Sequence, residues 1–248
     1  MEKRRKFQGV LNIISFNRHF YIYGLAILAA FIASSMLLEW PAILYWLVIT
    51  GFLYGLVMPL VISAYVYDFS GYYDLNWLKR EVENDNEPKL IVNINAGFDE
   101  TSFLIKERFP NTDIRVFDFY DSKRHTEAAI IRARKVSNVY PNTTQIASDA
   151  IPLGDRSADI VFLLSAAHEI RSNHEKVQLL KECHRLCRPG GKVIMVEHLR
   201  DFPNFLAFSV GFTHFFPASV WKSSFKKAGF STIKETKFTP FMSIFNCS

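Results

Sequence analysis

The 248-residue chain is 49% hydrophobic and 21% charged, which excludes global disorder. Its aromatic share of 15%, with 23 Phe, is high for a soluble enzyme. The formal net charge of +5 suits nucleic acid or an anionic membrane surface, and the three cysteines (Cys183, Cys187, Cys247) argue against a disulfide framework and fit a reducing compartment.

Residues 20–38 carry no charged group until the last position has passed. At ~1.5 Å per residue that stretch just spans a hydrocarbon core of roughly 30 Å. Glu39 and Pro41 interrupt it, and a second uncharged window covers 42–66 before Asp68. The short turn Leu38-Glu39-Trp40-Pro41 makes the two spans an antiparallel hairpin. A signal peptide fits poorly, because no small-residue cleavage site follows and a second span comes directly after. Lys3, Arg4, Arg5, Lys6 and Arg18 precede the hairpin, Lys79 and Arg80 follow it, and its turn has no Lys or Arg. The positive-inside rule therefore puts both termini on the cytoplasmic side, as in an integral protein of a bacterial cytoplasmic membrane. Tyr65 and Tyr67, with other aromatics near the span ends, read as an interfacial belt, and Gly51 and Gly55 are spaced for close helix packing. The chain thus divides into a basic segment 1–19, a transmembrane hairpin 20–67, a juncture 68–88 and a soluble domain 89–248. Within the juncture, Asn84-Asp85-Asn86-Glu87-Pro88 ends a helix over 75–82.

Beyond the juncture, strands and helices alternate. Apolar runs predict strands at 89–94, 114–117, 144–147, 159–164 and 192–197. Helices are predicted at 101–109, 124–136, 173–187 and 218–228, the last capped by Gly229, and Pro189-Gly190-Gly191 stops the third. Residues 230–237 and 241–246 read as a closing strand pair. Such alternation implies a mainly parallel sheet covered on both faces, with ligands beyond the C-terminal strand ends.

Several of these residues carry a resemblance. Asp118 ends the second strand, Asp149-Ala150 follow the third, and Leu186-Cys187-Arg188-Pro189-Gly190-Gly191 precede the fifth. In this order they resemble class I S-adenosylmethionine (SAM) methyltransferases, over about 89–246, and most of all the subgroup acting on quinones and other small molecules. The resemblance implies an α/β fold with a seven-stranded, Rossmann-like sheet. It departs at the first strand, where the family has an acid and then Gly-x-Gly-x-Gly. Here the chain reads Asn93-Ile94-Asn95-Ala96-Gly97-Phe98-Asp99. Asn tolerates positive φ nearly as glycine does, so Asn95 is expected to keep the turn, and Asn93, Asn95 or Asp99 to serve the cationic parts of SAM. Asp118 is expected at the ribose, Phe119 or Tyr120 at the adenine face, and Asp149 and Ala150 beside the adenine.

Ser165, His168 and Glu169 follow the fourth strand at the ligand end, and His168 suits proton removal from a hydroxyl nucleophile. Glu197, His198, Arg200 and Asp201 follow the fifth. Residues 204–217 are strongly apolar and read either as a buried helix or as a lid facing the membrane, with His214 a second base candidate. His125 reads as a surface residue at a helix start. Cys183, His184 and Cys187 share a helix, but no second Cys/His pair has zinc spacing, so no metal is expected. The expectation is a membrane-anchored SAM methyltransferase acting on a lipophilic acceptor such as a quinone, a phenolic or polyene pigment, or a membrane lipid. Nucleic acid is not expected as a partner, and the oligomeric state is open. The alternative is a non-catalytic membrane module with a degenerate glycine loop.

Overall fold

The computed structural model describes residues 5–82 and 87–248. Lys3, Arg4 and the Asn84-Asp85-Asn86 turn lie outside the described residues. The chain opens with a helix the sequence reading did not anticipate, α1 (Gln8–Phe16). Its first turn is capped from a distance: Gly9 N and Val10 N donate to the Asp68 carboxylate at 2.7 and 3.0 Å. An acid there satisfies otherwise orphaned N–H groups and complements the helix dipole.

Two apolar helices follow, α2 (Arg18–Leu37) and α3 (Ala42–Ala64), the latter continuing as a π-turn over Tyr65–Phe69. Both are long and apolar enough to cross a membrane, and only 6% of either hydrophobic window is buried. Gly51 and Gly55 do not form the close contact expected of them: a Cβ at either would meet nothing within 4 Å among the described residues. The close approach is at Gly24, where a Cβ would stand 2.9 Å from Leu56.

The juncture is part of the folded core. Tyr72, Leu75, Trp77 and Leu78 are buried, the last of them opening the short helix α4 (Leu78–Glu81). They pack against Ile91, Ile160, Phe162, Ile194 and Val196 on one face of the sheet. The alternate residues Val92, Ile94, Val161, Leu163, Val193 and Met195 point into the other core, as the two-residue strand period requires.

The strands are β1 (Leu90–Asn95), β2 (Asp113–Asp118), β3 (Thr144–Gln145), β4 (Ala158–Leu164), β5 (Cys187–His198), β6 (Ile233–Thr239) and β7 (Met242–Cys247). They form one sheet in the order β3-β2-β1-β4-β5-β7-β6. The β1–β2, β1–β4, β2–β3 and β4–β5 pairs are parallel, and β7 is antiparallel to both β5 and β6. Strand order reverses between β1 and β4, so the ligand crevice is expected beyond their C-terminal ends. The helices between are α5 (Ser102–Arg108), α6 (Ala128–Arg134), α7 (Asn173–Leu186), α8 (Phe202–Phe208) and α9 (Ala218–Ala228).

Further details of the fold differ from the sequence reading. Pro189-Gly190-Gly191 does not lie outside the strand but forms a bulge inside β5, since Ala158 pairs Cys187 while Ile160 pairs Lys192. Gly191 is required there because a Cβ would fall 2.8 Å from the Ala158 carbonyl. The helix expected over 124–136 starts only at Ala128. His125 is buried rather than on the surface, and its Nδ1 accepts from Asp121 N at 2.9 Å. The stretch 204–217 becomes α8 and a 3₁₀ segment (Ser209–His214), not one buried helix.

Candidate active site

A cavity of about 150 Å³ lies beyond the β1 and β4 ends, lined by Asn95, Ala96, Ser165, His168 and Glu169. Its outer wall comes from one face of α1 (Gly9, Asn12, Ile13, Phe16) and from Tyr67, Tyr72 and Tyr73.

At the β1 end the expected turn exists, formed differently from the expectation. Asn95 is the last residue of β1 and is not in the left-handed region. It holds the turn through its side chain, whose Oδ1 accepts from Gly97 N at 2.7 Å. Gly97 alone carries the positive φ, +81°. Asn95 Nδ2 is buried without a hydrogen-bond partner among the described residues, so it has a donor to give a ligand. Asn93 is turned to the other face, donating to Thr101 Oγ1 and Ser102 Oγ at 3.1 and 2.7 Å. Asp99, expected to face a cofactor cation, instead caps α5 by accepting from Thr101 N and Ser102 N at 3.0 and 2.9 Å.

Asp118 stands where the acid was expected, and its Oδ2 accepts from Arg134 Nη1 at 2.8 Å. The Arg134 guanidinium also lies 3.9 Å from the Tyr120 ring centroid and directly over Gly97. It therefore covers the glycine, the acid and the aromatic face together. Phe119 is 1% exposed within the core, so of the expected pair only Tyr120 presents a face. Asp149 and Ala150 are exposed and do not line the cavity; the adjacent Ser148 instead bonds Glu175 at 2.9 Å.

At the β4 end, Ser165 has φ 51°, a strained value for a residue with a Cβ. Its N–H bonds Val196 O at 2.8 Å, and its hydroxyl is 3.0 Å from the Tyr72 hydroxyl. The next turn brings His168 between two carboxylates. Its Nδ1 is 2.7 Å from Glu197 Oε2 and its Nε2 is 3.4 Å from Glu169 Oε1. Burial opposes charge on this ring, but Glu197 and Glu169 outweigh it and hold the imidazole proton well above the ordinary histidine range. For Glu169, burial works to raise the carboxyl and the His168 hydrogen bond overcomes it, so the net direction is down. His214 closes the cluster: its ring centroid is 5.0 Å from that of His168, and its Nδ1 is 2.8 Å from Glu127 Oε2. The hydrogen bond from His214 lowers the Glu127 carboxyl.

His198 does not join them. It is 3% exposed, and burial pushes it down to about 4, so it stays neutral. Its Nδ1 faces the Phe241 carbonyl at 2.9 Å and must donate, which leaves Nε2 to accept from the Tyr67 hydroxyl at 2.9 Å. Its ring stacks on Phe215. His198 thus acts through Tyr67, a cavity-lining residue that the sequence reading placed in the aromatic belt.

The other residues missed from sequence are α1, Arg134 and Glu197 as the partner of His168. Only α1 carried a usable signal, the i, i+3, i+4, i+7 spacing of Gly9, Asn12, Ile13 and Phe16. His184 packs edge-on to Phe230 and makes no cluster with Cys183 or Cys187.

Comparison with known proteins gives the class first. Residues 107–195 match a family model described as a methyltransferase domain. The sheet order and the fold likenesses below make this the fold of the SAM-dependent methyltransferases. Among particular relatives, the chain is 28% identical over 169 residues to norreticuline-7-O-methyltransferase of Papaver somniferum, covering 62% of this chain and 43% of that protein. A Nostoc punctiforme PCC 73102 protein assigned as an O-methyltransferase superposes with TM-score 0.51 at 18% identity, over 76% of this chain and 60% of that one. Human N-acetylserotonin methyltransferase, solved with SAM, gives 0.50 at 15%, over 77% and 54%. The chain therefore spans less than half of the plant enzyme it matches and under two thirds of either solved chain.

The residues present fit SAM. Gly97 opens a cradle that a Cβ would close, since that atom would lie 2.9 Å from Asp118 Oδ2. Asn95 supplies a donor not otherwise used, and Asp118 an acceptor at the β2 end. The cavity is smaller than the roughly 300–1,000 Å³ of typical ligand sites, and the Arg134 side chain lies over Gly97 and Asp118.

Proposed function

We propose that the chain transfers a methyl group from SAM to a hydroxyl on a lipophilic acceptor held at a membrane. The observation that carries this reading is the cavity running from the β1 turn, where Asn95, Ala96 and Phe98 line it, to His168, with its outer wall made by residues directly before and after the apolar hairpin. Asn95, Gly97 and Asp118 would hold the cofactor, which supplies an electrophilic methyl on a sulfonium. His168, oriented by Glu197, is placed to take the acceptor proton once its imidazole, held protonated by its two carboxylates, has lost its own, so turnover should rise with pH. Tyr67, fixed by neutral His198, and Tyr72, fixed by Ser165, offer hydroxyls that orient an acceptor oxygen. In-line displacement draws mainly on such alignment. The names of the plant relative and of the Nostoc protein point the same way, toward an oxygen nucleophile. No observation favours the non-catalytic alternative.

The membrane part rests on exposure and on one contact. Apolar side chains stand exposed along both helices, among them Leu25, Ile27, Ile43 and Leu47, which calls for a non-aqueous surrounding. The Tyr54 hydroxyl donates to Leu206 O at 2.5 Å, so α8 lies beside α3. Tyr54 is ten residues from the end of α3 at Ala64, roughly 15 Å along the helix axis. Phe202, Phe205, Leu206 and Val210 are exposed at that level, as expected of a lid lying in the near leaflet. Arg5, Lys6 and Arg18 before the hairpin, with Lys79 and Arg80 after it, orient both termini to the cytoplasm. A reporter fused after Ser248 should read as cytoplasmic, and luminal or periplasmic activity would overturn that orientation. Mass spectrometry of lipid extracts from cells with and without the protein tests the whole reading: a species one methylene lighter should accumulate in its absence.

A further inference from the structure

The histidine end of the cavity holds more ligating groups than a single proton acceptor needs. One ring nitrogen of His168, one of His214 and one oxygen of Glu169 all lie within 4.8 Å of one another. Zinc ligands at about 2.0–2.2 Å in a tetrahedral set stand roughly 3.4 Å apart, so rotamer adjustments of about an ångström would close the set. Each histidine also has its Nδ1 against a carboxylate: His168 on Glu197 at 2.7 Å and His214 on Glu127 at 2.8 Å. In metal sites this carboxylate–histidine pairing fixes the tautomer that presents Nε2 to the ion. The Nε2 of His168 already faces Glu169 at 3.4 Å.

A second observation is independent of these pairings. Glu169 is 7% exposed, and its Oε2 is buried with no hydrogen-bond partner among the described residues. A buried carboxylate oxygen without a donor is costly, and an imidazolium on the other oxygen does not relieve it. A cation would. Three carboxylates, Glu127, Glu169 and Glu197, converge on the two imidazoles, with Arg171 at the edge 3.7 Å from Glu127.

We infer that His168, His214 and Glu169 form a binding site for a divalent transition-metal ion, Zn²⁺ foremost, with an open position toward the cavity. Two imidazoles and a carboxylate suit zinc and its neighbours, and three protein ligands with an open fourth position are the pattern of catalytic rather than structural zinc. The expectation of no metal came from Cys/His spacing along the chain, whereas these ligands converge from the β4 end and the 3₁₀ segment after α8. What the ion would do rests on the proposed function; its binding does not. With the ion bound, His168 is a ligand and no longer the base: an acceptor hydroxyl ligated at the open position would exchange its O–H bond for an O–metal bond and release the proton to water, and the resulting oxyanion would be the nucleophile toward the methyl group.

The test uses the untagged full chain in detergent micelles, stripped with a chelator and titrated with Zn²⁺ by calorimetry, then with Co²⁺ for the visible bands of four-coordinate cobalt. One equivalent should bind per chain. Glu169→Gln and His214→Ala should each weaken binding at least about tenfold, and Glu127→Gln, which removes the partner of His214 from outside the ligand set, about 10–100-fold. Absence of stoichiometric binding, or binding indifferent to all three substitutions, overturns the site. S-adenosylhomocysteine titrated into the same samples separates the two readings. If it binds and zinc does not, only the metal site falls; if zinc binds and it does not, the metal site stands and the methyltransferase reading falls.

Discussion

At the glycine end of the cavity the proposed seat is made of backbone shape: one residue at φ +81°, an amide side chain closing the turn, and an acid that accepts from the Tyr120 amide and from Arg134. At the histidine end the arrangement is electrostatic, two imidazoles held among three carboxylates and walled by tyrosine hydroxyls. The first end suits a ligand that must enter and leave, because it is covered by one side chain, Arg134, rather than by backbone. The second suits chemistry, because its donors and acceptors are fixed before any substrate arrives. The contrast predicts that substitutions at one end change affinity and those at the other change turnover.

The largest effect is expected at His168. His168→Ala should lower turnover by about 10²–10⁴-fold while S-adenosylhomocysteine affinity, measured by calorimetry, stays nearly unchanged. An equal fall in both would erase the distinction between the ends. Next, Asp118→Ala should weaken cofactor binding by roughly 10–100-fold, the range expected for hydrogen bonds to a charged group, with turnover at saturating SAM little altered. Unchanged affinity would remove Asp118 from the seat.

Arg134 sharpens the comparison by sign. If its guanidinium only covers an empty seat, the competent state is a fraction of the population, and Arg134→Ala should tighten cofactor binding several-fold. Weaker binding in the variant would instead make Arg134 a direct contact. The smallest effect is expected at the lid. Tyr54→Phe removes the donor to Leu206 O, worth about 1 kcal/mol, and should speed hydrogen exchange over 202–214 and raise KM for a lipophilic acceptor a few-fold.

The sheet was legible from sequence because buried parallel strands read as short apolar β-branched runs, and the hairpin because charge is absent over two long windows. The placement of His168, Glu169 and Asp118 at strand ends was legible because the ligand edge is fixed once the strands are. Other features depended on distances between segments remote in the chain. Glu197 reaches His168 across the β4–β5 pair, and Arg134 reaches Asp118 from α6. Asp99 uses one carboxylate oxygen on a helix cap, and His198 spends both ring nitrogens on a carbonyl and Tyr67. Tyr67 looked like part of an interfacial belt because residue type alone does not tell a lipid-facing ring from one lining a cavity.

The most direct test of the account is methyl transfer itself. The full-length protein, reconstituted in lipid vesicles with a membrane lipid extract and SAM labelled in its methyl group, should move label into the organic-soluble fraction, and His168→Ala should abolish most of that transfer. Label confined to water-soluble acceptors, or no transfer by a protein that binds SAM, would contradict it.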